Sequence, residues 1–150
     1  MKERRPKNPT ASVRQRLQNL SHQTGESFHI LLTRYALERL LFYNLWVLSR
    51  IFPFTGATLC RAIRATFRRR KTDLPAAVPV ALTDAFAADA SKQTQWRSFV
   101  ARADLSATAD PLRDVLALLR TFLLAPLQAA AGTGDFNQQW QPRGPWQPTT

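Results

Sequence analysis

Apolar positions recur at helical spacing along most of this chain. Val13, Leu17 and Leu20 fall three and four residues apart behind Ser12, whose hydroxyl suits a helix start, and Gly25 interrupts the pattern. From Glu26 the period resumes, with Phe28, Leu31, Leu32, Tyr35, Leu40 and Leu41 largely on one side and His29, Glu38 and Arg39 available for the other. No Gly or Pro intervenes before Pro53, so one helix is predicted to run to about Ile51. Thr55 is placed to cap a further helix. There Leu59, Ala62, Ile63, Thr66 and Phe67 follow the amphipathic template, which puts Arg61, Arg64 and Arg68 on the opposite face.

Beyond it, Pro75 and Pro79 turn "KTDLPAAVPVALTD" into an extended connector, because each proline also restricts the residue before it. A helical turn over 84–88 leads into an amphipathic helix over about 91–103, marked by Trp96, Phe99, Val100 and Ala103. Asp110 before Pro111 predicts another helix start, Asp as the cap and Pro preorganised in the first turn. Leu112, Val115, Leu116, Leu119, Phe122 and Leu123 form its buried stripe, with Pro126 expected to kink or end it and Gly132 to close it.

Neither end carries a period. Residues 1–11 hold Lys2, Arg4, Arg5 and Lys7 among prolines and read as a flexible basic arm. Residues 133–150 are polar and proline-containing, an irregular tail pinned by Phe136, Trp140 and Trp146. No alternating strand stands out, a weak extended "VPVAL" at 78–82 excepted. The fold class is therefore all-α: one helical domain over 12–132, an irregular bundle of about five helices.

The 150 residues suffice for a single core. Twenty-one Lys and Arg against ten Asp and Glu leave a net charge of +11, which favours an anionic partner without naming it. Cys60 is the only cysteine, so an intrachain disulfide and a cysteine zinc site are excluded and a reducing cytoplasm is expected. The basic start lacks the apolar stretch of a secretory signal. The run "LFYNLWVLSR" at 41–50 spans only about half of the roughly 20 apolar residues a bilayer requires, and reads as buried in protein, or at most as lying on a membrane.

Within that run Asn44 is an anomaly, an amide among large apolar side chains. The cluster Arg61, Arg64, Arg68, Arg69, Arg70 and Lys71 is a candidate phosphate or RNA contact, although a solvated helix end is the favoured reading of cations there. His22 and His29 lack a third ligand for a metal. Cys60 is read as a small buried hydrophobe, and Asp104, Asp110 and Asp114 as structural rather than acid–base groups. The tryptophans are expected in the core or anchoring the tail.

Two long blocks carry a resemblance. "SVRQRLQNLSHQTGESFHILLTRYALERLL" over 12–41 resembles the opening helices of the nucleotidyltransferase AbiEii/AbiGii toxin family of toxin–antitoxin and phage-defence systems. "FYNLWVLSRIFPFTGATLCRAIRATFRRRKTDLP", "ALTDAFAADASKQTQWRSFVARADL" and the late "GPW" resemble its closing helical region, over 42–132 and into the tail. In that family a mixed sheet with a phosphate-binding turn and an Asp-x-Asp metal pair lies between the two blocks. Here the first runs straight into the second near Leu40–Phe42, and no Asp-x-Asp occurs.

Where the family's second block begins Lys-Asp-Phe-Tyr-Asp-Leu, this chain has Leu40, Leu41, Phe42, Tyr43, Asn44 and Leu45. Such phosphoryl chemistry needs carboxylates to hold Mg²⁺ against a nucleoside triphosphate. The resemblance thus implies an internally truncated member without nucleotidyltransferase activity and without that cofactor pair, catalytic residues none, Leu40, Leu41, Tyr43 and Asn44 being degenerate motif positions. It implies a helical surface kept for a cognate antitoxin or RNA. Two alternatives are a basic helical nucleic-acid-binding module and a decayed, non-functional fragment.

Overall fold

A computed structural model describes residues 9–106, 108–132 and 134–149, and the side chains of these apart from 9–13 and 31–37. The chain is mostly helical, with a small three-stranded sheet. The arm over 1–8 lies outside the described residues, as do the side chains of Val13, Leu31, Leu32 and Tyr35.

The first helix, α1, spans Pro9–Thr24, so it starts before Ser12, which is not its cap. Proline suits a first helical position, where its missing N–H would have had no partner anyway. Gly25, at φ +72°, ends α1 and donates its N–H to the Ser21 carbonyl at 3.0 Å. Helix α2 then spans Phe28–Ile51 without a break. It stops where Phe52 turns extended (φ −112°, ψ 145°), as a residue before proline must.

Among the described side chains of α2, only one side is buried. Arg39, Phe42, Trp46 and Ser49, at spacings of three and four, face inward, whereas Leu41, Asn44, Leu48 and Ile51 are exposed. The expectation that the run 41–50 is buried therefore holds for one face alone. The run is too apolar all round for its periodicity to say which.

Strand β1 (Phe54–Thr55) leads into α3, Gly56–Arg70. Thr55 occupies the capping position of α3 but makes no side-chain capping bond. The inward face of α3 is rotated from the expected one: Gly56 and Cys60 are buried and Ile63, Arg64 and Phe67 half-buried, while Ala62 and Thr66 are exposed. The cause is steric. At Gly56 a Cβ would collide with the ring and carbonyl of Phe136, so the smallest residue marks the closest approach.

The connector is extended as expected, but "VPVAL" forms a short 3-10 turn at Val80–Leu82 instead of a strand. Helices α4 (Asp84–Ala88) and α5 (Ala90–Arg102) start at Thr83 and Asp89, whose side chains accept from the backbone N–H of Phe86 and Lys92. Helix α6, Leu112–Ala131, lies on the core. Its Leu112, Val115, Leu116 and Leu119 join Phe42, Trp46, Leu82, Ala87, Trp96 and Val100 in one buried cluster. Asp110 does not cap α6. Pro111 holds that position, and Asp110 instead pairs with Arg50 at 3.4 Å and accepts the Trp96 indole N–H on its carbonyl at 3.0 Å. Among the described residues α6 alone has the length and apolarity of a membrane span, and its apolar stripe is the protein core.

Pro126 neither ends α6 nor leaves it unbalanced. Proline at this position has no N–H to give to the carbonyl four residues back, which is that of Phe122. The Trp146 indole N–H takes it, at 3.0 Å. The same substitution of partner occurs at the end of α2. Pro53 cannot serve the Ser49 carbonyl, and Trp140 Nε1 (2.7 Å) and the Arg143 backbone N–H (3.0 Å) do so instead.

These three bonds explain why the tail is not irregular. Residues Gln138–Trp140 (β2) and Trp146–Pro148 (β3) form an antiparallel pair, and β2 also pairs with β1, Phe54 opposite Trp140. Phe122 sits at the centre, with the rings of Trp140 (4.9 Å), Phe54 (5.0 Å) and Trp146 (5.9 Å) around it. The expected pins Phe136, Trp140 and Trp146 are the ones used.

Candidate functional site

Leu40, Leu41, Tyr43 and Asn44, expected from the resemblance to be degenerate motif positions, divide between two sides of α2. Leu40 and Leu41 are 45 % and 56 % exposed and Asn44 is exposed with them. Tyr43 is turned to the other side, half-buried against the rings of Trp46 (5.8 Å) and Phe99 (6.3 Å). Leu48, Ile51 and Phe52 continue the outward row, so Asn44 is a hydrated amide inside an exposed apolar stripe. No group of three or more His, Cys, Asp or Glu able to hold a metal occurs among the described residues. His22 and His29 lie exposed on separate helices, because Gly25 divides them. Asp114 stands in the first turn of α6, where a carboxylate favours the positive end of the helix.

The basic cluster is likewise split. Arg64 leaves the surface: its guanidinium donates to the carbonyls of Ala129 (2.8 Å), Ala130 (3.0 Å), Gly132 (3.2 Å) and Gly134 (3.4 Å). Those belong to the end of α6 and the residues after it, where a helix leaves its last carbonyls without partners. Arg61, Arg68, Arg69, Arg70 and Lys71 stay exposed, and no carboxylate lies within 4 Å of them among the described residues. At the end of α3 the N–H of Thr72 bonds the Phe67 carbonyl and that of Lys71 bonds Arg68, both at 3.1 Å. This closure puts Lys71 at φ +52°, a conformation that normally favours glycine.

Cys60 is 3 % exposed and its thiol donates to the Pro126 carbonyl at 3.2 Å. Burial pushes its pKa up, and the nearby Arg64 cation only partly opposes this. A thiol is the unreactive form. In the folded protein Cys60 is expected to resist iodoacetamide at pH 8 and to react once urea unfolds the chain, as followed by mass spectrometry. Because its folded pKa lies above the unfolded one, its contribution to stability is complete below the unfolded pKa and disappears as pH rises through the folded one. Rapid native alkylation would contradict this burial.

Two open cavities remain. One, of about 500 Å³, lies between α4 and α6 and is lined by Asp84, Gln93, Arg113, Leu116 and Arg120, with Asp84 and Arg120 paired at 3.0 Å. The other, of about 310 Å³, lies between α2 and the turn joining β2 to β3, with Tyr43, Trp46, Arg50, Ile51, Thr108 and Arg143 in its wall. Arg50 stacks over Trp46, 4.3 Å from the ring centre. Aromatic rings are interleaved with a cation at 43–50, and the remaining arginine of this cavity comes from a distant turn.

No family model, curated protein or solved structure matches the chain.

Proposed function

We propose that this chain is a non-catalytic, helical remnant of the AbiEii/AbiGii toxin architecture that works by binding RNA phosphate through the exposed cations at the end of α3. The observation that carries this reading is the divided cluster on α3. Arg64 is committed to the end of α6, while Arg68, Arg69, Arg70 and Lys71 are left outward without a carboxylate neighbour among the described residues. The outward trio on α2 supports the loss of chemistry, because Leu40, Leu41 and Asn44 offer no charge to a metal-bound triphosphate. Each neutralised phosphate releases counterions, so binding of this kind is salt-dependent.

The test uses purified protein with tRNA, Mg²⁺ and labelled nucleoside triphosphates. Retention of tRNA without transfer of label is expected. Four phosphate contacts predict that affinity falls about 50- to 150-fold between 50 and 200 mM salt. Label transfer abolished by changing Tyr43 or Asn44, or an affinity indifferent to salt, refutes the reading.

A further inference from the structure

We propose that the cavity between α2 and the β2–β3 turn binds a phosphate monoester carrying a planar ring, the chemistry of a nucleoside monophosphate. The site is separate from the α3 cations and does not depend on their role. Its size, about 310 Å³, is at the small end of ligand pockets. One wall is a ready stacking surface. The Arg50 guanidinium lies over the Trp46 ring, 4.3 Å from its centre, and its other tie, to Asp110, is long (3.4 Å) and partly exposed. Guanidinium planes and aromatic rings are both surfaces on which bases stack.

Across the cavity Arg143 supplies the second cation. The turn Gln141–Gly144 is closed by the Gly144 N–H to the Gln141 carbonyl at 2.7 Å, with Pro142 second and Arg143 third at φ +71°. That third position is normally given to glycine or asparagine, because other side chains are strained there. An arginine therefore holds a place where the backbone prefers glycine, and its N–H is tied to the Ser49 carbonyl, next to Arg50 on the chain. No carboxylate lies within 4 Å of the Arg143 guanidinium among the described residues. A ring stacked on Arg50 with its phosphate toward Arg143 uses both arginines of the cavity lining.

The strained turn makes the test decisive. Arg143→Gly relaxes the backbone, so this variant is expected to melt no lower than the parent while losing ligand. Calorimetric titration of the full chain would use AMP, adenosine, inorganic phosphate, and an oligonucleotide with and without a 5′-phosphate. AMP is expected to bind at least ten-fold more tightly than adenosine or phosphate, and Arg143→Gly to weaken it at least ten-fold. Binding of AMP assigns the site to free nucleotides; binding of the 5′-phosphorylated strand alone assigns it to strand ends. If neither binds, or Arg143→Gly leaves affinity unchanged, the proposal fails. Replacing Arg69 and Arg70 by alanine should lower tRNA affinity and leave AMP binding as it was, which separates this site from the α3 surface.

Discussion

Trp140→Ala is expected to lower the stability of the folded chain by about 3–5 kcal/mol, the range for deleting a large buried ring. Trp140 is fully buried, contacts Phe122 at 4.9 Å and Trp146 at 5.5 Å, and its indole satisfies the carbonyl of Ser49 that Pro53 cannot. The loss is then threefold: ring burial, one hydrogen bond, and the tie between the sheet and the end of α2. Against the roughly 5–15 kcal/mol that holds a domain together, that is a large share. Trp140→Phe keeps most of the packing and removes one of the two donors to the Ser49 carbonyl, which retains the Arg143 N–H, so it should cost about 0.5–1.5 kcal/mol, the net worth of a single hydrogen bond. Urea denaturation measures both. A Trp140→Ala loss below about 1 kcal/mol would mean that the tail does not dock on the helices.

Arg64→Leu is expected to cost about 2–3 kcal/mol, because hydrogen bonds from a charged donor are worth more than neutral ones and four carbonyls lose theirs together. Part of the bonding reaches solvent, which keeps the figure below the sum of four. Lysine at this position restores charge but not the fork that spans several carbonyls, so it should recover less than half. The same variant distinguishes structure from binding. Arg64→Leu should leave the salt dependence of RNA binding unchanged, whereas Arg69→Ala with Arg70→Ala should flatten it by about two phosphate contacts. An Arg64→Leu variant that melts normally and binds RNA less steeply with salt would return Arg64 to the surface set.

The helices were legible because their breakers are local. Gly25 and Pro53 bound α2, and Gly132 closes α6. Facing was legible only where polar positions alternate with apolar ones, as at Leu112 to Leu119. In the run 41–50 nearly every residue is apolar, so the outward position of Leu41, Asn44 and Leu48 carried no mark. On α3 the buried positions are the small Gly56 and Cys60, which hydrophobic period counts for little. The sheet escaped notice because strands of two or three residues cannot show alternation. Pro53 and Pro126 read as interruptions, and nothing nearby reveals that each frees a carbonyl for an indole far along the chain. The candidate pocket was illegible for the same reason: Trp46 with Arg50 is local, but Arg143 reaches them through a turn built more than ninety positions later.

The pairing of Phe54 with Trp140 has a consequence for how the protein is made. While the ribosome is still adding residues beyond α6, Phe54 and Phe122 have each other but not the rings of Trp140 and Trp146, and the freed carbonyls of Ser49 and Phe122 lack their indole donors. During that interval the nascent polypeptide leaves apolar surface uncovered, the condition that favours aggregation. Trp146 is the last ring to cover this seam, so a stop codon placed shortly before it would leave the translation product with the seam permanently open.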